Sequence, residues 1–214
     1  MKWDRIIAYL FVTAGIAYAS YSGTQYLQKL QVVEEIPPSK VTTSEVQKTQ
    51  QPVLPNESAN SVVFSQDQRP KFGEHFADLI IPRLQAKIPV VEGTNEDELA
   101  RGVGHFAGSV LPGEPDNSVL SGHRDTVFRR MGEMKVGDEL HVETSQGTFI
   151  YEIKRMWVTD ADDRTVIVPH DESVLTLTTC YPFSYIGPAP QRYIIQSSLK
   201  KRTTEPFSLN EQGG

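Results

Sequence analysis

Apolar residues are distributed along this chain in two ways. From residue 6 to 19 they form one block broken only by Thr13 and Gly15, and between residues 72 and 201 they alternate with polar ones in short stretches. Alternation places successive side chains on opposite faces of a strand. The stretches at 77–84, 87–91, 118–122, 139–143, 149–158, 175–180 and 193–199 fit this period. They are rich in Val, Ile, Leu, Thr, Tyr and Phe and bounded by Gly, Pro, Asn or Asp, which reads as strands between turns. Gly137-Asp138 supplies turn chemistry, and Gln146-Gly147 joins two stretches as a hairpin. Two short helices are predicted, at 95–102 with Asn95 or Thr94 as cap and at 126–132. So many strands in about 130 residues make the chain mainly β, and the pattern alone leaves barrel and sandwich open.

The apolar block follows Lys2 and Arg5, and positive charge ahead of such a block keeps the N-terminus in the cytoplasm. Trp3, Tyr18 and Tyr21 suit interfacial anchors that would lengthen a run short of the about 20 residues of a full span. Ala17-Tyr18-Ala19 has the form of a signal-peptidase site. The helix-compatible continuation after Tyr26 favours an uncleaved transmembrane anchor. Either outcome places the rest of the chain outside the membrane. Residues 36–70 change to Pro, Ser, Thr, Gln and Val, too polar to bury a core, and read as a stalk. The expected organisation is an anchor at 1–22, a stalk at 23–70, one domain at 71–201 and a polar tail at 202–214.

Charge and cysteine count narrow the chemistry. The net charge of −6 excludes nucleic acid as a main partner, because phosphates demand a basic surface. A single cysteine excludes both an internal disulfide and a Cys-rich zinc site. In an exported chain a lone thiol is either inert and buried or reactive.

Position favours the reactive reading. Cys180 ends the alternating run 174–180, where Pro182 prevents the ladder from continuing. A nucleophile there needs a proton partner and a group for the developing oxyanion. Among five histidines, His123 stands at a strand end in Ser121-Gly122-His123-Arg124-Asp125-Thr126. His105 follows Gly104 and is a candidate neighbour of the site; His75, His141 and His170 suit structural or surface roles. Arg192 follows a Gly-Pro-Ala-Pro turn, and antiparallel pairing would return its guanidinium alongside Cys180. A surface Arg at a strand start is the plainer alternative.

His123 in Ser-Gly-His-Arg-Asp-Thr, Cys180 in Thr-Leu-Thr-Thr-Cys and Arg192 together resemble the sortase signature. The likeness spans residues 72–200 and includes Gly102-Val103-Gly104-His105 and Leu111-Pro112-Gly113-Glu114. Tyr181-Pro182-Phe183 and the 185–193 segment look most similar to class D sortases of Gram-positive bacilli. The resemblance implies an eight-stranded β-barrel with short helices behind an N-terminal transmembrane helix, in a single-pass membrane enzyme with an extracytoplasmic catalytic domain. It implies a cysteine transpeptidase that cuts an LPxT-type sorting signal, LPNTA-like in class D, after its Thr. Cys180 would carry the thioester, His123 would exchange protons with the amines, and Arg192 would hold the oxyanion or the substrate backbone. A peptidoglycan amine would resolve it. Lacking the Asp-Pro-aromatic lid and C-terminal membrane segment usual in pilin-polymerising relatives, the chain fits protein anchoring. Thr178, Thr179 and His105 are candidate substrate-binding residues.

No metal is expected. Asp160, Asp162 and Asp163, with Glu172 nearby, match where some sortases bind calcium, yet they read first as a solvated acidic loop. Leu54-Pro55-Asn56-Glu57 partly mimics a sorting signal, with Glu57 replacing the Thr that would be cut. Rival functions are an L,D-transpeptidase, whose Ser-His-Gly-Cys-like spacing is absent, a papain-like protease, whose Cys-Gly-Ser-Cys-Trp-like segment is absent, and an anchored non-catalytic binding module.

Overall fold

The computed structural model describes residues 2–30, 32–35, 62–183, 187 and 189–204. Most of the expected stalk, the 54–57 segment, Tyr185, Ile186 and the tail from residue 205 lie outside the described residues.

Helix α1 is Lys2–Leu30 and α2 is Glu96–Leu99. The strands are β1 (Glu34–Glu35), β2 (His75–Ile81), β3 (Ala86–Glu92), β4 (Val103–His105), β5 (Asp116–Ser121), β6 (Glu139–Thr144), β7 (Gly147–Asp160), β8 (Ser173–Tyr181) and β9 (Gln191–Thr203). They pair in the order β1-β3-β2-β6-β7-β9-β8-β5-β4, and an additional β3–β4 pairing closes the ring. The result is an eight-stranded closed barrel, β2 to β9, with β1 as an outer addition. Closure leaves the eight strands no free edge. Pairings β3–β4 and β5–β8 are parallel, and the others antiparallel.

The alternation read from sequence supplies the barrel interior. Leu79, Ile81, Ile88, Val90, Leu120, Leu140, Val142, Tyr151, Ile153, Leu175, Leu177 and Ile195 are buried in one cluster. Register shifts near Tyr151 and Arg155 let the long β7 and β9 bend around it. The Gln146-Gly147 hairpin is present: Thr144 pairs with Gly147. Gly147 has φ +114°, and a Cβ there would stand 2.2 Å from the Thr203 carbonyl oxygen, so glycine is required.

Several expectations change. Strand β4 was not anticipated, because three residues containing Gly104 carry no readable period. The helix expected at 95–102 contracts to Glu96–Leu99. Its Asn95 capping box is present, and Glu98 accepts the Asn95 N–H at 3.1 Å. No α-helix forms at 126–132. That segment instead makes turns in which the His123 carbonyl accepts N–H bonds from Thr126 and Phe128, followed by a 3-10 turn at Met131–Glu133. Phe128 is fully buried, and tertiary packing outweighs the weak propensity of so short a helix.

Residues 62–69, assigned to the stalk, pack on the barrel. Val62 N–H donates to the Gly113 carbonyl at 3.0 Å, and the buried Glu114 carboxylate accepts from Phe64 N, Arg69 Nη2 and Leu111 N. β1 adds to the start of β3, Glu34 opposite Lys87. Helix α1 continues past the expected end at residue 22. Among the described residues no helix is long and apolar enough to cross a membrane. Tyr9, Thr13, Gly15, Tyr18 and Ser20 dilute its apolar run.

Candidate active site

Strand β8 delivers Cys180 to the barrel rim. Leu175, Leu177 and Thr179 point inward and are buried, whereas Thr178 and Cys180 face outward and are half-buried. The peptide bond from Tyr181 to Pro182 is cis and ends the strand. Beneath this end, Tyr181, Phe183 and Tyr193 form a ring cluster with centroids 5.2 to 6.1 Å apart. Burial, and then Tyr181, hold the Tyr193 phenol above its ordinary range.

Neighbouring strands bring the other two candidates to the same rim. In the antiparallel β8–β9 ladder Cys180 is the direct partner of Arg192. In the parallel β5–β8 ladder Ser121 is opposite Thr178, and the Gly122 N–H reaches the Thr178 carbonyl at 3.2 Å. The Thr179 hydroxyl then donates to the Gly122 carbonyl at 2.7 Å. Two steps beyond Ser121 stands His123, and two beyond Thr178 stands Cys180. The order β5-β8-β9 therefore brings His123, Cys180 and Arg192 to one rim.

Each cationic candidate has a defined setting. Arg192 Nη1 donates to the Ala189 and Gln191 carbonyls at 3.2 and 3.0 Å. The rest of its fork makes no hydrogen bond among the described residues, and stays available to an incoming oxygen. The His123 side chain is 29 % exposed, but its Nε2 is buried and has no hydrogen-bond partner among the described residues, and the Glu96 carboxylate stands 3.6 Å away. The three residue types are those that a nucleophile, a proton carrier and an oxyanion fork would require.

From this rim a groove of about 120 Å³ runs along the outer face of β8 and β9. Thr178, Arg192, Ile194 and Val119 form its floor, and Thr159, Asp160, Ala161, Asp163, Val166 and Ile167 its wall. Asn117 supports that wall, donating to the Val166 carbonyl while accepting from Thr176.

Thr178 thus lies in the groove, but the other two candidate substrate residues do not. Thr179 faces inward and holds Gly122. His105 is 1 % exposed, with Nδ1 at 2.6 Å from Glu92 and Nε2 at 2.9 Å from the Val110 carbonyl. Glu92 opposite on β3 and Val110 in the β4–β5 connection occupy its two nitrogens, so its side chain lies inside the wall and outside the groove. The acidic loop does not converge either. Asp163 accepts from Thr159 and Thr165, and these bonds hold its carboxyl below the usual range. Among the described residues no group of three or more His, Cys, Asp or Glu side chains could hold a metal ion.

Arg124, Asn117 and Glu96 were not singled out from sequence. Arg124 lies inside the quoted histidine motif, and Asn117 is a polar residue amid strand apolars. Those were the available signals.

Comparison with known proteins agrees with this fold. A family model described as Sortase domain matches residues 79–200. Sortase D of Bacillus subtilis (strain 168) is 40 % identical over 192 residues, covering 89 % of this chain and 96 % of that one. Among solved structures, the catalytic domain of SrtD of B. anthracis is 45 % identical with a TM-score of 0.56, covering 66 % of this chain and 98 % of that one. The Clostridium perfringens Sortase D5 transpeptidase is 30 % identical with a TM-score of 0.57, covering 64 % and 89 %.

Proposed function

The chain belongs to the sortase family of cysteine transpeptidases, similar to class D, and from that premise we propose that it cuts an LPxT-type sorting signal after Thr and joins the freed carboxyl end to a peptidoglycan amine. The Cys180 sulfur attacks the Thr carbonyl carbon, and the tetrahedral oxyanion that forms lies against the free part of the Arg192 fork. The C–N bond breaks, and His123 gives a proton to the departing amine. A second amine then attacks the thioester, His123 takes its proton, and the Cys180 thiolate leaves.

The observation that carries this reading is the register of β5, β8 and β9, which aligns His123, Cys180 and Arg192 at one rim. The groove supports it, since the exposed Ile167, set over the buried Val119, Val166 and Ile194, offers an apolar contact for the Leu-Pro part of the signal. An LPNTA-like motif is the first to test.

Helix α1 serves as a membrane anchor in this reading, with its N-terminus inside and the barrel outside. At 1.5 Å per residue its 29 residues extend about 43 Å, but its apolar run is short of the about 30 Å hydrocarbon core, and Tyr18 and Tyr21 would lengthen it as interfacial anchors. Leu10, Phe11, Val12, Ile16 and Tyr18 are exposed on several sides of the helix, as lipid contact requires.

Intact-mass spectrometry of the detergent-solubilised chain with an LPNTA peptide tests the reaction. The expected product is an acyl adduct on Cys180 that Cys180→Ala abolishes and an added amine discharges. Cleavage that persists in Cys180→Ala would sink the proposal.

A further inference from the structure

Arg124 follows His123 in the chain and is only 9 % exposed. Its Nη1 donates to the Pro182 carbonyl at 3.2 Å and its Nη2 to the Gly187 carbonyl at 2.8 Å. The first acceptor lies two residues after Cys180, and the second five residues before Arg192. The far end of the same connection is held by Arg192 itself, through Ala189 and Gln191. One guanidinium therefore touches the backbone between two of the candidate reacting groups while standing next to the third.

The histidine turn is fixed from its other side as well. The His123 carbonyl accepts the Phe128 N–H at 3.0 Å, and a Cβ on Gly122 would stand 2.6 Å from the Phe128 ring. Across the interface, a Cβ on Gly132 would meet the Phe183 ring at 3.3 Å. The turn thus packs near Phe183 and is joined to Pro182 and Gly187 by the Arg124 fork.

We propose that Arg124 is a positioning residue of the transpeptidation site, clasping the His123 turn to the β8–β9 connection and so setting the separation of imidazole, thiol and Arg192 guanidinium. The inference rests on reading His123, Cys180 and Arg192 as the reacting groups. The Pro182 and Gly187 carbonyls lie along two directions of the fork. A planar guanidinium donates along two fixed lines, whereas an ammonium is a compact point donor. Displacement of reacting groups by about 1 Å costs on the order of a hundredfold in rate, without weakening substrate binding to match.

The test uses the full chain in detergent as wild type, Arg124→Lys and Arg124→Gln. Peptide cleavage is read as kcat and KM separately, and alkylation of the thiol by iodoacetamide is read alongside. The chain has one cysteine, so alkylation reports Cys180 alone. The expected result is a kcat lower by roughly tenfold to a hundredfold in both variants, KM within about threefold, and an alkylation rate changed more than about threefold. Thermal unfolding should remain cooperative. Folded variants with kcat and alkylation within about twofold of wild type would overturn the proposal. So would an activity loss matched by loss of folded protein, because Arg124 would then serve folding only. A wild type that cleaves no sorting peptide would refute the proposed function instead, and alkylation would still report on Arg124.

Discussion

Cys180 and Arg192 are direct partners across the β8–β9 ladder, twelve residues apart in sequence and opposite one another in space. Their side chains share the outer face that carries Thr178 and Ile194, the next pair along. Among the described residues, the Arg192 guanidinium across from the thiol's strand position is tethered through Nη1.

That tether makes replacement by lysine informative. Arg192→Lys keeps the charge but cannot both hold the Ala189 and Gln191 carbonyls and offer a second, directed donor. The expected outcome is a kcat lower by about a hundredfold or more, with a smaller change in KM. Steady-state cleavage of a sorting peptide checks it, and a lysine variant as fast as wild type would remove Arg192 from the oxyanion role.

Residues whose partners are local in the ladder were legible, and those whose partners are distant were not. The run ending at Cys180 announced β8 because Leu175 and Leu177 alternate with polar residues, and that same period places Thr179 inward. Reading the period one step further would have kept Thr179 out of the groove. His105 differs for another reason: Glu92, which occupies its Nδ1, becomes its neighbour only when β3 and β4 pair, and Val110, five residues on, takes its Nε2. Arg124 was invisible as a clasp, because its acceptors are carbonyls at Pro182 and Gly187, and any residue type carries a carbonyl. At 126–132 local propensity suggests a helix, and the burial of Phe128, which decides against it, is a property of the closed barrel.

Glu96 provides a milder electrostatic test. Its carboxylate lies 3.6 Å from the otherwise unpartnered Nε2 of His123, on a side chain that is 73 % exposed. Solvent screens such a pair, so its effect is small and salt-dependent. Glu96→Gln is expected to lower kcat by about threefold at low ionic strength, with the difference fading toward 1 M salt. A deficit of the same size at every salt concentration would show that Glu96 acts by packing.

Acid stability offers a test away from the site. Asp138 sits in the β6 approach, and burial pushes its carboxyl upward. Arg83, the Lys135 N–H and the nearby charges outweigh that push, holding it below the ordinary 3.8. A group lowered in the folded state contributes stability above its unfolded value and loses it as pH falls through the folded one. Asp138→Asn should therefore be less stable than wild type at neutral pH, with the difference shrinking as pH drops below about 4. Urea unfolding at a series of pH values checks this, and a constant difference would contradict the sign.

The groove separates binding from chemistry. Ile167 stands in its wall, apolar and 47 % exposed, facing a floor that includes Val119 and Ile194. Nothing in the described fold covers it, so substrate is what would bury it in the proposed reaction. Covering an aliphatic side chain of this size contributes about 1.5–3 kcal/mol when burial is complete, and about half of Ile167 is already covered. Ile167→Asp also sets a carboxylate beside Asp160 and Asp163, which disfavours an apolar occupant further. KM for an LPNTA peptide should rise by roughly tenfold. Alkylation of Cys180 by iodoacetamide should stay at the wild-type rate, because the thiol, imidazole and guanidinium are placed by β5, β8 and β9 and not by this wall. An unchanged KM would move the Leu-Pro part of the signal to another face of the barrel.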